Sequence, residues 1–146
     1  DDIGIVKIHG PGVGFKSGIL AKATSALDMR GINIKSVLTA QTSICLLLGR
    51  ADLDRAAAIL SEHHMAGVVN VSVVDDLAMI AVVGDGVLDA SGYGHGIAAK
   101  ALEAAHTAGI RVAMAGAGAS EVAVYLLVSR TDRNRAVTVL HGAFFS

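Results

Sequence analysis

Three segments of the chain recur at a nearly constant separation, and this repetition limits the fold more than any other feature. Gly18-Ile19-Leu20-Ala21-Lys22-Ala23 returns as Gly96-Ile97-Ala98-Ala99-Lys100-Ala101, and Gly31-Ile32-Asn33-Ile34 returns as Gly109-Ile110-Arg111-Val112, both 78 positions later. Arg55-Ala56 through Leu60 returns as Arg135-Ala136 through Leu140 at an offset of 80, so the second copy has gained two residues in between. Solenoid units repeat every roughly 20–50 residues, so this period is too long for one. It predicts two copies of one small domain, dividing the 146 residues near Asp75-Asp76 into 1–75 and 76–146.

Each copy has the same order of elements. In the first, Ile3 to His9 is rich in β-formers and closes on Gly10-Pro11-Gly12, a strong turn signal. Ser17 to Arg30 sets Ile19, Leu20, Ala23, Ala26 and Leu27 on one helical face, with Gly31 as a left-handed stop. Ile32 to Leu38 and Ser43 to Leu48 then predict a hairpin turning at Thr39 to Thr42. Asp52 is placed to cap a second helix that carries Ala56, Ala57, Ile59 and Leu60 and ends by Gly67. Val68 to Val74 completes a βαββαβ unit.

The second copy predicts strands over Leu77 to Val83, Ile110 to Ala115 and Val122 to Val128, with helices over His95 to Ala108 and Asp132 to Leu140. The tally is seven strands where two such units need eight. The last strand is expected from upstream sequence or a partner chain. The fold class is α+β, two tandem ferredoxin-like units whose helices cover one face of each antiparallel sheet.

Composition narrows the function. With 12 basic and 13 acidic side chains the net charge is -1, which argues against a nucleic-acid binder dependent on a basic surface. The single cysteine, Cys45, excludes an internal disulfide and favours a cytoplasmic setting. No membrane partner is expected, because the longest apolar candidate, Val112 to Val128, is interrupted by Ser120 and Glu121. The chain opens on Asp1-Asp2 rather than methionine, so a longer parent protein is expected.

The usual catalytic motifs fail on spacing. Gly10-Pro11-Gly12-Val13-Gly14-Phe15-Lys16-Ser17 lies between a strand and a helix, where a phosphate-binding loop belongs. Only three residues separate Gly10 from Gly14, however, and Phe15 intervenes before Lys16, whereas that motif needs four residues and an adjoining lysine. The glycines at 92, 94 and 96 do not make a dinucleotide fingerprint, and no acidic residue closes the following strand. The six histidines show no metal-ligand spacing, and His63-His64 suits a solvated helix end. Cys45, between Ile44 and Leu46, is expected as a buried, inert thiol. Ser120 lacks a nucleophile-elbow motif. No catalytic residue, metal site or cofactor site is predicted for this chain.

The glycine-rich loop before the first helix has two readings. It turns the chain, or its helix start, with unpaired N–H groups around Gly18, Ile19 and Leu20, receives the carboxylate of an amino acid where the loop meets the strand Asn33 to Gln41.

Paired βαββαβ units with Gly31-Ile32-Asn33-Ile34 opening the second strand resemble tandem ACT domains, and in particular the C-terminal regulatory region of aspartokinase. The strand Leu77 to Val83 followed by Gly84, Gly118-Ala119-Ser120-Glu121, and Arg135-Ala136-Val137 with Leu140-His141 and Phe144-Phe145 carry the same resemblance. It implies feedback control of aspartate phosphorylation in lysine, threonine and methionine biosynthesis. The kinase domain, with its ATP and magnesium, would lie upstream. It also implies a homodimer formed through the first ACT domain, with the effector at that interface. A stand-alone ACT-pair sensor or dimerisation module is the alternative.

By position, the resemblance assigns Val13, Lys16, Ser17, Gly18, Ile19 and Leu20 to the effector pocket, with Asn33, Ile34 and Lys35 from the second strand. Thr39, Ala40 and Gln41 would reach across from the partner. Two positions depart from the family pattern. Lys35 stands where many members have aspartate, which favours threonine or another non-cationic amino acid over lysine. Gly116-Ala117 replaces the usual Ser-Gln, which argues against a second effector site in the second copy.

Overall fold

The computed structural model describes residues 2–65, 67, 68, 70–84, 95–117 and 119–145. Asp1, Gly92, Gly94 and Gly118, which entered the sequence reading, lie outside the described residues, as does Val69 of the expected fourth strand. The chain divides into two compact units, Asp2–Asp76 and the residues from Leu77 onward.

The first unit runs β1 (Ile3–His9), α1 (Ile19–Asp28), β2 (Ile34–Thr39), β3 (Ser43–Gly49), a single 3-10 turn at Arg50–Asp52, α2 (Leu53–Glu62) and the first part of β4 (Asn70–Val83). Its strands lie in the order β2-β3-β1-β4. The antiparallel register pairs Gly4 with Leu48, Val6 with Leu46 and Ile8 with Ile44. The period of two therefore sends Val6, Ile8, Ile44, Leu46 and Leu48 to the helix-covered face. There they meet Ile19, Ala23, Ala26 and Leu27 of α1 and Leu53, Ala56, Ile59 and Leu60 of α2 in one buried cluster. Gly4 lies on the same face, and a methyl group there would collide with the Leu53 side chain. Its absence lets α2 settle onto the sheet. Each large apolar side chain so buried contributes about 1.5–3 kcal/mol.

The second unit continues with the rest of β4, then α3 (His95–Thr107), β5 (Val112–Gly116), β6 (Ala123–Ser129), a 3-10 turn at Arg130–Asp132 and α4 (Arg133–Phe145). Its order is β4-β6-β5, with Ile80 opposite Leu126. Ala101 and Ala105 of α3, Ala136 and Leu140 of α4, and Ile80, Val124, Leu126 and Val128 of the sheet form a separate core. Among the described residues no strand follows α4.

Several expectations are corrected. The strands foreseen over 68–74 and 77–83 are one continuous strand, β4, running through Asp75-Asp76. Two aspartates contain neither the proline nor the glycine that would break a strand, and Arg50 donates to the Asp75 carbonyl at 2.7 Å. The last helix does not stop at Leu140 but continues to Phe145. Asp52 makes no capping bond; its carboxylate faces Arg55 at 3.4 Å instead. Leu20 is exposed rather than on the packed face of α1, and α1 starts at Ile19 rather than Ser17. Cys45 is half-buried. It lies on the sheet face opposite the helices, level with Lys7, and burial raises its thiol pKa above the ordinary value, with Lys7 partly opposing that.

Candidate functional site

The loop from Gly10 to Ser17 is wound on itself by backbone bonds. The Val13 N–H donates to the Gly10 carbonyl at 3.2 Å, and the Phe15 and Lys16 N–H groups share the Gly12 carbonyl at 3.2 and 2.9 Å. Two bonds tie it to neighbouring turns: Gly10 N–H to the Thr42 carbonyl at 2.9 Å, and Gly12 N–H to the Gly67 carbonyl at 3.1 Å. Val13 points inward and joins the core, which anchors the loop from below.

Gly18 then takes the left-handed conformation (φ 83°) that only glycine adopts without strain, and α1 starts with no side-chain cap. The first helical bond runs from Lys22 N–H to the Gly18 carbonyl at 2.9 Å. The N–H groups of Ile19, Leu20 and Ala21 consequently have no acceptor within the helix. They present the positive end of the helix dipole, beside the exposed Lys16 and Ser17. A helix start of this kind can accept one carboxylate.

The assigned residues fall into two groups. Lys16, Ser17, Gly18 and Leu20 are exposed around the helix start, whereas Val13 and Ile19 are buried and only support it. Thr39, Ala40 and Gln41 end β2 and turn into β3, with Ala40 N–H donating to the Ser43 carbonyl at 2.8 Å. That turn packs on the loop of its own chain: Gly14 lies so close to the Gln41 carbonyl that a side chain would collide there. The turn at Gln41 and Thr42 thus adjoins the loop of its own chain.

Asn33, Ile34 and Lys35 are not brought to the loop. Ile34 is level with Leu48 and Gly4, and Thr39 is level with Ile44 and Ile8, at opposite ends of the sheet. Five strand residues span about 17 Å. Asn33 and Lys35 are exposed, while Ile34 packs against the core.

Lys35 occupies a register shift between Ile34 and Ser36, a bulge that turns an edge strand. The second unit shifts between Val112 and Met114, so Ala113 is its counterpart. Sequence reasoning missed the bulge and the Gly12–Gly67 approach. Gly67, which the spacing marks only as a helix stop, is the sequence signal for that approach. Among the described residues no cluster of acidic, histidine or cysteine side chains could hold a metal ion, and no helix is long and apolar enough to cross a membrane.

The structure defines the class: an α+β chain of two ferredoxin-like units in tandem. Residues 1–62 match one ACT-domain family model and residues 80–144 match another. The bifunctional aspartokinase/homoserine dehydrogenase of Haemophilus influenzae is 27% identical over 100% of the chain, which spans 18% of that protein. Chloroplastic aspartokinase 3 of Arabidopsis thaliana is 31% identical over 88% of the chain, which spans 23% of it. The chain thus covers about a fifth of the length of these relatives. The ligand-free regulatory subunit of aspartate kinase from Thermus thermophilus superposes with a TM-score of 0.83 at 21% identity, over 99% of this chain and 93% of that one. The chain belongs to the ACT-domain family, with the tandem arrangement of the aspartokinase regulatory region.

Proposed function

We propose that the chain is the amino-acid-sensing part of an aspartokinase, giving feedback control over aspartate phosphorylation carried out by a separate kinase domain. The observation that carries this is the start of α1, which opens on a left-handed glycine with no side-chain cap, directly after the exposed Lys16 and Ser17 and a loop that packs on the turn at Gln41 and Thr42. An α-carboxylate fits the N–H donors of such a start, and the turn offers carbonyls and hydroxyls for an ammonium group. The likeness to a regulatory subunit of nearly the same length supports the division of labour.

The proposal includes a homodimer. β2 is the outermost strand of its unit, and Val37 and Leu38 on it are exposed. Antiparallel pairing of β2 with its copy would bring the partner's Asn33-to-Lys35 end alongside this chain's Thr39 end. Each pocket would then combine the loop and turn of one chain with the bulge of the other. Lys35 there repels a cationic side chain, so threonine or another uncharged or anionic amino acid is the favoured effector.

Calorimetric titration with a panel of amino acids tests the reading. L-Threonine is expected to bind saturably and L-lysine not to bind, with Lys35→Ala reducing that discrimination. Tight lysine binding that Lys35→Ala leaves unchanged would overturn the assignment.

A further inference from the structure

Two loops of the first unit meet at a pair of glycine backbones. A methyl group on Gly12 would stand 2.5 Å from the Gly67 Cα, and one on Gly67 would stand 2.6 Å from the Gly12 Cα. No side chain fits at either position without displacing the other loop, since real contacts of that kind do not fall below about 3 Å. The Gly12 N–H to Gly67 carbonyl bond, at 3.1 Å, closes the same junction. Gly67 also has φ 90°, which excludes ordinary side chains on backbone grounds.

Each side of this junction has its own anchor in the core. Val13 follows Gly12 and is buried; Met65 precedes Gly67 and is buried in the same cluster. The Val68 N–H donates to the Met65 carbonyl at 3.0 Å, which fixes the turn that carries Gly67. Three residues past Gly67, Asn70 begins β4, which continues without interruption to Val83 in the second unit. On the other side, the Gly12 carbonyl accepts from Phe15 and Lys16, so displacement of Gly12 is passed on to the residues that open α1.

We infer that Gly12 and Gly67 form a backbone clasp that locks the loop opening α1 to the start of β4, so that the two segments shift together. They are positioning residues that act through the loop and the strand. The regulatory meaning of the clasp rests on the proposed ligand site at α1. A ligand held by the α1 N–H groups would tighten the loop, and the clasp would carry that tightening into β4.

Amide hydrogen exchange on the full chain tests the clasp. In the wild-type chain the Gly12 amide is expected to share the protection of β4 residues 70–76, and exchange at Gly12 as fast as at exposed loop amides would overturn the inference. Gly12→Ala is expected to speed exchange about tenfold or more in both 13–21 and 70–76. Gly14→Ala, which crowds the Gln41 carbonyl instead, should speed exchange in 13–21 and 40–42 but leave 70–76 unchanged.

Acceleration confined to 13–21 in Gly12→Ala would count against the clasp. Saturating L-threonine should slow exchange at 13–21 and 70–76 in the wild type, but only at 13–21 in Gly12→Ala. Slowing at both segments in that variant would also overturn it. If L-threonine changes nothing in the wild type, the proposed threonine site fails, and the ligand-free measurements still decide the clasp.

Discussion

Arg55 and Arg135 show how a repeated residue reveals a repeated physical task. Helices α1 and α3 end on glycine: Gly31 N–H bonds the Asp28 carbonyl at 2.9 Å, and Gly109 N–H bonds the His106 carbonyl at 2.9 Å. In each unit the guanidinium of the second helix donates to the carbonyl just before that glycine, Arg55 to Arg30 and Arg135 to Ala108. The same arginines face Asp52 and Asp132. Because both side chains are about half exposed, each link is worth little as an ion pair and more as a charge-assisted hydrogen bond. Replacing either arginine by alanine is expected to cost about 1 kcal/mol, measured by urea unfolding.

Cys45 gives a second prediction at this scale. Burial raises its thiol pKa, so the neutral form dominates at pH 7 and thiol labelling should be slow. The stability gained by keeping the thiol neutral is fully present below the unfolded pKa and is lost as pH rises through the folded one. Lys7→Ala removes the opposing positive charge and should slow labelling further. Faster labelling in that variant would contradict the assignment.

At the level of elements, glycine positions that look alike in sequence have different structural demands. Gly31 has φ 70°, and a methyl group added there would meet nothing within 4 Å, so Gly31→Ala introduces backbone strain without a clash. It should lower stability by about 1 kcal/mol, and Gly31→Asn by less. Gly49 has φ -62° and ψ 140°, an ordinary extended conformation, so Gly49→Ala is expected to be neutral or to stabilise by a few tenths of a kcal/mol. Thermal unfolding of the three variants distinguishes these cases.

The helices and most strand cores were legible because apolar spacing and the glycine stops set them locally. The bulges at Lys35 and Ala113 were not. A bulge depends on how a strand registers against its neighbour, which the spacing within β2 or β5 does not encode.

On the scale of the whole molecule, the two units have separate cores, one around Leu46 and Leu60 and the other around Leu126 and Leu140. Ile8→Val and Ile110→Val should each cost about 1 kcal/mol. The double variant should equal their sum within about 0.5 kcal/mol, because the two sites belong to different clusters. A larger departure in denaturant unfolding would show energetic coupling between the units. The continuous β4 was hidden at this scale. Two aspartates at the midpoint of an internal repeat resemble a linker, yet an extended backbone tolerates them when their side chains face solvent and a carbonyl finds Arg50.

The sequence by itself determined the duplication, the order of elements in each copy, the apolar faces and the ACT-type pattern, since all of these follow from local spacing and repeat. It left the glycine-rich loop before α1 with two readings, a plain turn or a carboxylate site, because spacing alone does not distinguish them. Only the tertiary structure decided which assigned residues meet. Packing placed the turn at Gln41 and Thr42 on the loop of its own chain, left Asn33 to Lys35 at the far end of the sheet, and pressed Gly12 against Gly67. Those outcomes depend on strand register and backbone approach between segments distant in sequence, and both are settled when the sheet and helices pack together.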